Sequence, residues 1–175
     1  FWYALVGNNE FEEAWLDEGI NSYSTGRVME RVYGRDRSMI DLPFLRLGEQ
    51  DMLRLVNAPD QKLDAIIQNS WTYSPGTYGF FSYMKPELAL FTLENLLGEQ
   101  TMARVMRTYH ERWRFRHPGS DDFLAVANEV SGQDLAWFFD PIFRGTGIVD
   151  YAVDSVSTKK VTASTGLFDV NGTRT

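Results

Sequence analysis

Apolar positions recur at intervals of three and four along most of this chain and seldom alternate, which is the period of a helix and not of a strand. The clearest case is Met102, Val105, Met106 and Tyr109, which share one face of a segment expected to be helical over 99–115. Before it, a helix is expected over 83–97, stopped by Gly98; after it, His117-Pro118-Gly119 breaks the pattern. Ser120 is placed to cap a further helix over 121–130, ended by Gly132, and a last short one is expected over 134–139, ahead of Asp140-Pro141.

The N-terminal third is less regular. Residues 1–6 read as the tail of a helix that Gly7-Asn8-Asn9 breaks. Asn9 with Glu12 three places later resembles a capping box, and opens a helix expected over 11–33 and ended by Gly34. Trp15, Ile20, Tyr23 and Val32 approximate helical spacing there, but Gly19 and Gly26 interrupt it. A continuous helix accepts them where close packing or a metal site demands a small residue. Shorter helices are expected over 49–56 and 61–69, on either side of Ala58-Pro59-Asp60, and Ser74-Pro75-Gly76 gives turn chemistry to a loop over 71–79.

From Val149 the character changes. Tyr151, Val153, Ser155, Val161 and the run 167–170 suggest short strands. The expected fold is mainly α, with a helical unit over 1–147 and the start of a β-rich unit over 148–175.

Composition narrows the classes. With 175 residues and 43% hydrophobic positions the chain can bury one sizeable core, and 14% aromatics favour a packed globule over disorder. A formal charge of −7 argues against nucleic acid, which demands clustered Lys and Arg. The one concentrated basic stretch, Arg112, Arg114 and Arg116, alternates with Trp113 and Phe115 near an expected helix end, where cations complement the helix dipole. No apolar run approaches the roughly 18 residues that would cross a bilayer. Cysteine is absent, so there are no disulfides.

The candidate chemistry lies in Trp15-Leu16-Asp17-Glu18-Gly19-Ile20-Asn21-Ser22-Tyr23. A carboxylate beside Trp15 and Leu16 on an apolar helix face is costly to bury unless a cation neutralises it. The plain alternative is a solvated helix carboxylate, the usual state of a glutamate. Asp17, Asn21 and Ser22 would either orient metal-binding groups from behind or serve as ordinary polar helix residues. His110 and His117 are the only histidines; seven residues apart and with a proline after the second, they do not form a one-turn metal pair.

The run FWYALVGNNEFEEAWLDEGINSY resembles the gluzincin zinc aminopeptidases, the alanyl aminopeptidase and leukotriene hydrolase family. In that family one helix carries HExxH and the next carries a glutamate in a W-L-x-E-G context, and Glu18 matches that glutamate. The resemblance implies that Glu18 is a zinc ligand and that this sequence begins just after HExxH, whose second histidine would be separated from Phe1 by a single residue. The family also has a catalytic tyrosine in a Y-x-x-x-x-Y-E-K-G context, matched by Tyr78-Gly79-Phe80-Phe81-Ser82-Tyr83-Met84-Lys85-Pro86. Tyr83 falls on the catalytic position and Tyr78 on its companion, while Met84 and Pro86 depart from the pattern. A structural tyrosine in an aromatic-rich loop is the other reading of Tyr83.

The fold implied is the C-terminal helical half of a thermolysin-like catalytic domain. The function implied is removal of N-terminal residues from peptide substrates by a full-length zinc enzyme, with the missing N-terminal part of the polypeptide completing the site. The fragment itself is expected to be inactive and to hold no zinc. The competing reading is a non-catalytic helical scaffold or binding module derived from the same family.

Overall fold

The structure is a computed structural model that describes residues 2–55, 61–147 and 155–158, and the backbone pairing at 169–170 and 173–174. It is mainly helical. Helices α1 (Trp2–Leu5) and α2 (Glu10–Glu13) lead into the long α3 (Trp15–Tyr33). A short antiparallel hairpin of β1 (Ile40–Leu42) and β2 (Leu45–Leu47) pairs Asp41 with Arg46 and passes into α4 (Glu49–Leu55). After an irregular stretch come α5 (Lys85–Leu97), α6 (Glu99–Trp113), α7 (Ser120–Ser131) and α8 (Ala136–Phe139). At the C-terminus β3 (Asp169–Val170) pairs with β4 (Thr173–Arg174). The other positions expected as strands, Tyr151, Val153 and Val161, lie outside the described residues, and Ser155 takes no regular structure.

Helix α3 packs along α5, and α6 along α7. The core between them is aromatic. Trp15 meets Phe123 and Phe143 edge-on, with centroids 5.6 and 4.7 Å apart, and Tyr109 meets Phe123 at 5.1 Å. All four rings are fully buried, and the apolar face of α6 anticipated from Met102, Val105 and Tyr109 is the buried one. Trp15 Nε1 donates to Ser120 Oγ at 2.8 Å, so the indole carries its polar edge into the core with a partner.

Three local expectations need correction. The helix expected over 11–33 has a one-residue offset at Ala14, and Asn9 caps α2 by accepting from the Phe11 amide. Gly119 occupies the cap of α7, with Asp122 accepting from its N–H at 2.9 Å; Ser120 is the first helical residue, and its hydroxyl serves Trp15 instead.

The helix expected over 61–69 does not form. Asp64 is buried and accepts from the Ser74 amide at 3.1 Å, from the Ser74 and Thr77 hydroxyls and from Gln68. Burial alone would raise its pKa, but these donors outweigh that and hold it below the usual carboxylate range. Those side-chain bonds compete with a helical ladder and win. The resulting loop runs to a 3-10 turn at Ser70–Thr72 and delivers the chain to Tyr78.

Between this loop and α5 the backbone makes a π turn, Phe80–Met84, closed by the Lys85 amide on the Phe80 carbonyl. A π turn adds a residue to the helical repeat, re-aims the side chains within it, and recurs at functional positions. Tyr83 lies inside this one.

Candidate active site

Glu18 sits in the first turn of α3, only 8% exposed despite its charge. Its Oε2 accepts a hydrogen bond from the Tyr3 hydroxyl at 2.5 Å. Tyr83 lines the same cleft, and burial followed by the nearby Glu18 carboxylate raises its hydroxyl above the ordinary phenol range. Tyr83 is therefore a neutral donor at any physiological pH. These three side chains open onto a cleft of about 280 Å³ lined also by Asn21, Ser22, Thr25, Glu49 and Glu87.

Of the residues singled out from the sequence, the fold brings Glu18, Asn21, Ser22 and Tyr83 to one cleft. Tyr78 lies beside them, its ring 6.5 Å from that of Tyr83 and tilted by 72°, and it lines a neighbouring cavity of about 410 Å³ with Asn8, Asn9, Glu10, Phe11 and Ser70. Asp17 does not line the cleft. It is buried and turned toward Glu10, and burial followed by that hydrogen bond pushes its carboxyl up to about 7. His110 packs edge-on against Trp2 at 5.6 Å, and His117 Nδ1 lies 2.7 Å from the Gly7 carbonyl oxygen.

Sequence reasoning missed Tyr3, Thr25, Glu49 and Glu87. Thr25 was findable, since it continues the Glu18, Asn21, Ser22 face by one more turn of helix. Tyr3, Glu49 and Glu87 enter from other elements, and no local pattern marks them.

The packing behind the site explains the glycines of α3. A Cβ on Gly19 would lie 2.7 Å from Pro86 Cβ, and one on Gly26 would lie 2.9 Å from both Glu87 Oε1 and Phe91 Cζ. Close approach of α5 demands both. Farther along, Arg27 bridges Glu30, Glu94 and Glu99 at 2.8, 3.2 and 2.5 Å, and the Tyr23 hydroxyl donates to Glu94. This network locks α3 to α5 beside the cleft.

Comparison with known families places the chain as a whole. Residues 2–142 match the peptidase family M1 domain. The chain belongs to the M1 peptidases. It is similar to Aminopeptidase RNPEPL1 of Mus musculus, 26% identical over 127 residues that make up 70% of this chain and 18% of that protein. It is likewise similar to a leukotriene A-4 hydrolase homolog of Botryotinia fuckeliana, 25% identical over 152 residues, 78% of this chain and 23% of the relative. Leucine aminopeptidase 2 of Sclerotinia sclerotiorum is 24% identical over 152 residues, again 78% of this chain and 24% of the relative. The M1 chain thus spans about a fifth of the length of the curated relatives it matches. No solved structure matches it significantly.

Proposed function

We propose that this M1 segment supplies one zinc ligand, Glu18, and one transition-state donor, Tyr83, to an aminopeptidase site completed by other parts of a longer polypeptide. The observation that carries the reading is the sharing of one cleft by the buried Glu18 carboxylate and the Tyr83 side chain.

The donor chemistry fits one arm of a zinc site. Glu18 offers an anionic oxygen, the kind a zinc ion takes from Asp or Glu, and Tyr3 orients it. Among the described residues no three His, Cys, Asp or Glu side chains converge as a metal-binding group. On this reading the other ligands are supplied by other parts of the longer polypeptide, and the segment alone retains no zinc and cleaves no peptide. When bound, a zinc ion supplies an activated water and polarises the scissile carbonyl. Asn21 and Ser22 offer polar contacts to substrate along the same helix face. Tyr83, kept neutral, donates its proton in a hydrogen bond to the oxygen on which negative charge develops.

Hydrolysis of aminoacyl anilides by the full-length polypeptide, abolished by a chelator and restored by zinc, tests this reading. Absence of hydrolysis with zinc bound in stoichiometric amount would favour the scaffold reading, in which the domain keeps the family fold as a binding module.

A further inference from the structure

The cleft has a second end. Thr25 lies seven residues beyond Glu18 on the same face of α3, about 10 Å along the helix axis. There the opposite wall is Glu87, from the first turn of α5, with Glu49 of α4 beside it. Glu87 is 5% exposed, and its Oε1 is packed over Gly26 without a hydrogen-bond partner among the described residues. The same side chain lines the cleft.

An unpartnered buried carboxyl is expensive, and a purely structural position there would be filled at lower cost by Gln or Met. None of the eight lining residues is basic, and three are glutamates. Among the described residues no three His, Cys, Asp or Glu side chains, these glutamates included, group as a metal site.

Resting on the aminopeptidase reading above, we propose that Glu87 and Glu49 form a subsite for a cationic side chain, so that substrates with N-terminal lysine or arginine are preferred. With the scissile carbonyl beside Tyr83, the flexible four-carbon stem of a lysine runs along Asn21, Ser22 and Thr25 and brings its ammonium to Glu87. The state of the empty subsite is consistent with that role. Burial, with Glu49 and Glu30 nearby, pushes the Glu87 carboxyl up to about 8, and an arriving cation would favour its ionised form.

The test compares lysine, arginine and norleucine anilides as substrates of the full-length polypeptide, norleucine having the lysine stem without the ammonium. Calorimetric titrations with lysinamide and norleucinamide provide a second readout independent of turnover. The lysine substrate should exceed norleucine in kcat/KM by at least about tenfold, because a site built for a charged partner rejects the analogue lacking it. Glu87→Gln should collapse that ratio to near one, and Glu49→Gln should reduce it less. Should Glu87→Gln fail to fold, the wild-type ratio and the two titrations decide. Equal turnover and equal binding of the lysine and norleucine compounds, or a ratio unaffected by Glu87→Gln, overturns the proposal. No hydrolysis of any anilide, with lysinamide still bound more tightly than norleucinamide, would remove the peptidase reading and leave the cation subsite standing.

Discussion

The Gly19 backbone lies directly against the Pro86 ring: a methyl group added to Gly19 would lie 2.7 Å from Pro86 Cβ and 2.8 Å from its Cγ. Gly19 follows Glu18 directly and Pro86 comes three residues after Tyr83, so this contact fixes the spacing between the candidate ligand and the candidate donor. Proline in the first turn of a helix has no amide to lose, which is why it can serve as the rigid side of the contact.

Gly19→Ala therefore sets two effects against each other. Alanine gains about 1 kcal/mol of helix propensity over glycine. Overpacking against a rigid ring costs about 1–3 kcal/mol. Because neither backbone nor ring can rotate away, the second effect wins and urea denaturation should show net destabilisation. In the full-length enzyme kcat should fall as well, since Tyr83 is pushed away from Glu18. A stabilised variant of unchanged activity would show that α3 and α5 separate easily.

A core prediction concerns Ser120. Its hydroxyl is the partner of the buried Trp15 indole N–H. Ser120→Ala orphans that donor and should cost about 1–3 kcal/mol by urea or thermal unfolding. Indole fluorescence should shift in the folded state as well. A change below about 0.5 kcal/mol would mean that the bond contributes little.

Much of this was legible in the chain. The buried face of α6 follows from apolar spacing, and of the residues singled out with Glu18 the fold brings Asn21, Ser22 and Tyr83 to the same cleft. Elsewhere, long-range partners override local pattern. Residues 61–69 have a helix-like composition, yet Asp64 spends its acceptors on Ser74 and Thr77, which are near in space and outside any helical window. Glu87 reads as one more polar residue at a helix start; only the approach of α5 to Gly26 makes it a buried wall of the cleft. The hairpin over 40–47 was also missed, since strands of three residues are too short to show alternation.

The Glu87 carboxyl gives a pH dependence of definite sign. Its pKa is about 8 in the folded chain against an ordinary 4.5. Between those values the folded state holds a proton that the unfolded state has released, so stability falls as pH rises from about 4.5 to about 8. Glu49 and Glu30 face it from neighbouring elements, and each adds repulsion to the charged form. Glu87→Gln should remove this dependence, becoming progressively more stable relative to wild type across that window. Parallel stability curves for the two proteins would contradict it.

Tyr83→Phe in the full-length enzyme deletes the proposed oxyanion donor while keeping the ring. Loss of one such donor typically lowers kcat by about 10²–10³. KM should move much less, because the interaction is made mainly in the transition state. Tyr78→Phe removes a hydroxyl from the adjacent ring and should have the smaller effect. If the two variants behave alike, the catalytic tyrosine has been assigned to the wrong residue.

The most direct test of the account is the zinc content of the full-length polypeptide, wild type and Glu18→Gln, by plasma mass spectrometry after dialysis against a weak chelator. Altering groups behind a metal ligand already costs about 10–100-fold in affinity, so replacing the anionic ligand itself should cost at least that. The account predicts stoichiometric zinc in the wild-type protein and substantial loss from Glu18→Gln, with circular dichroism unchanged. Equal zinc in both proteins would return Glu18 to the status of an ordinary buried carboxylate and contradict the central claim.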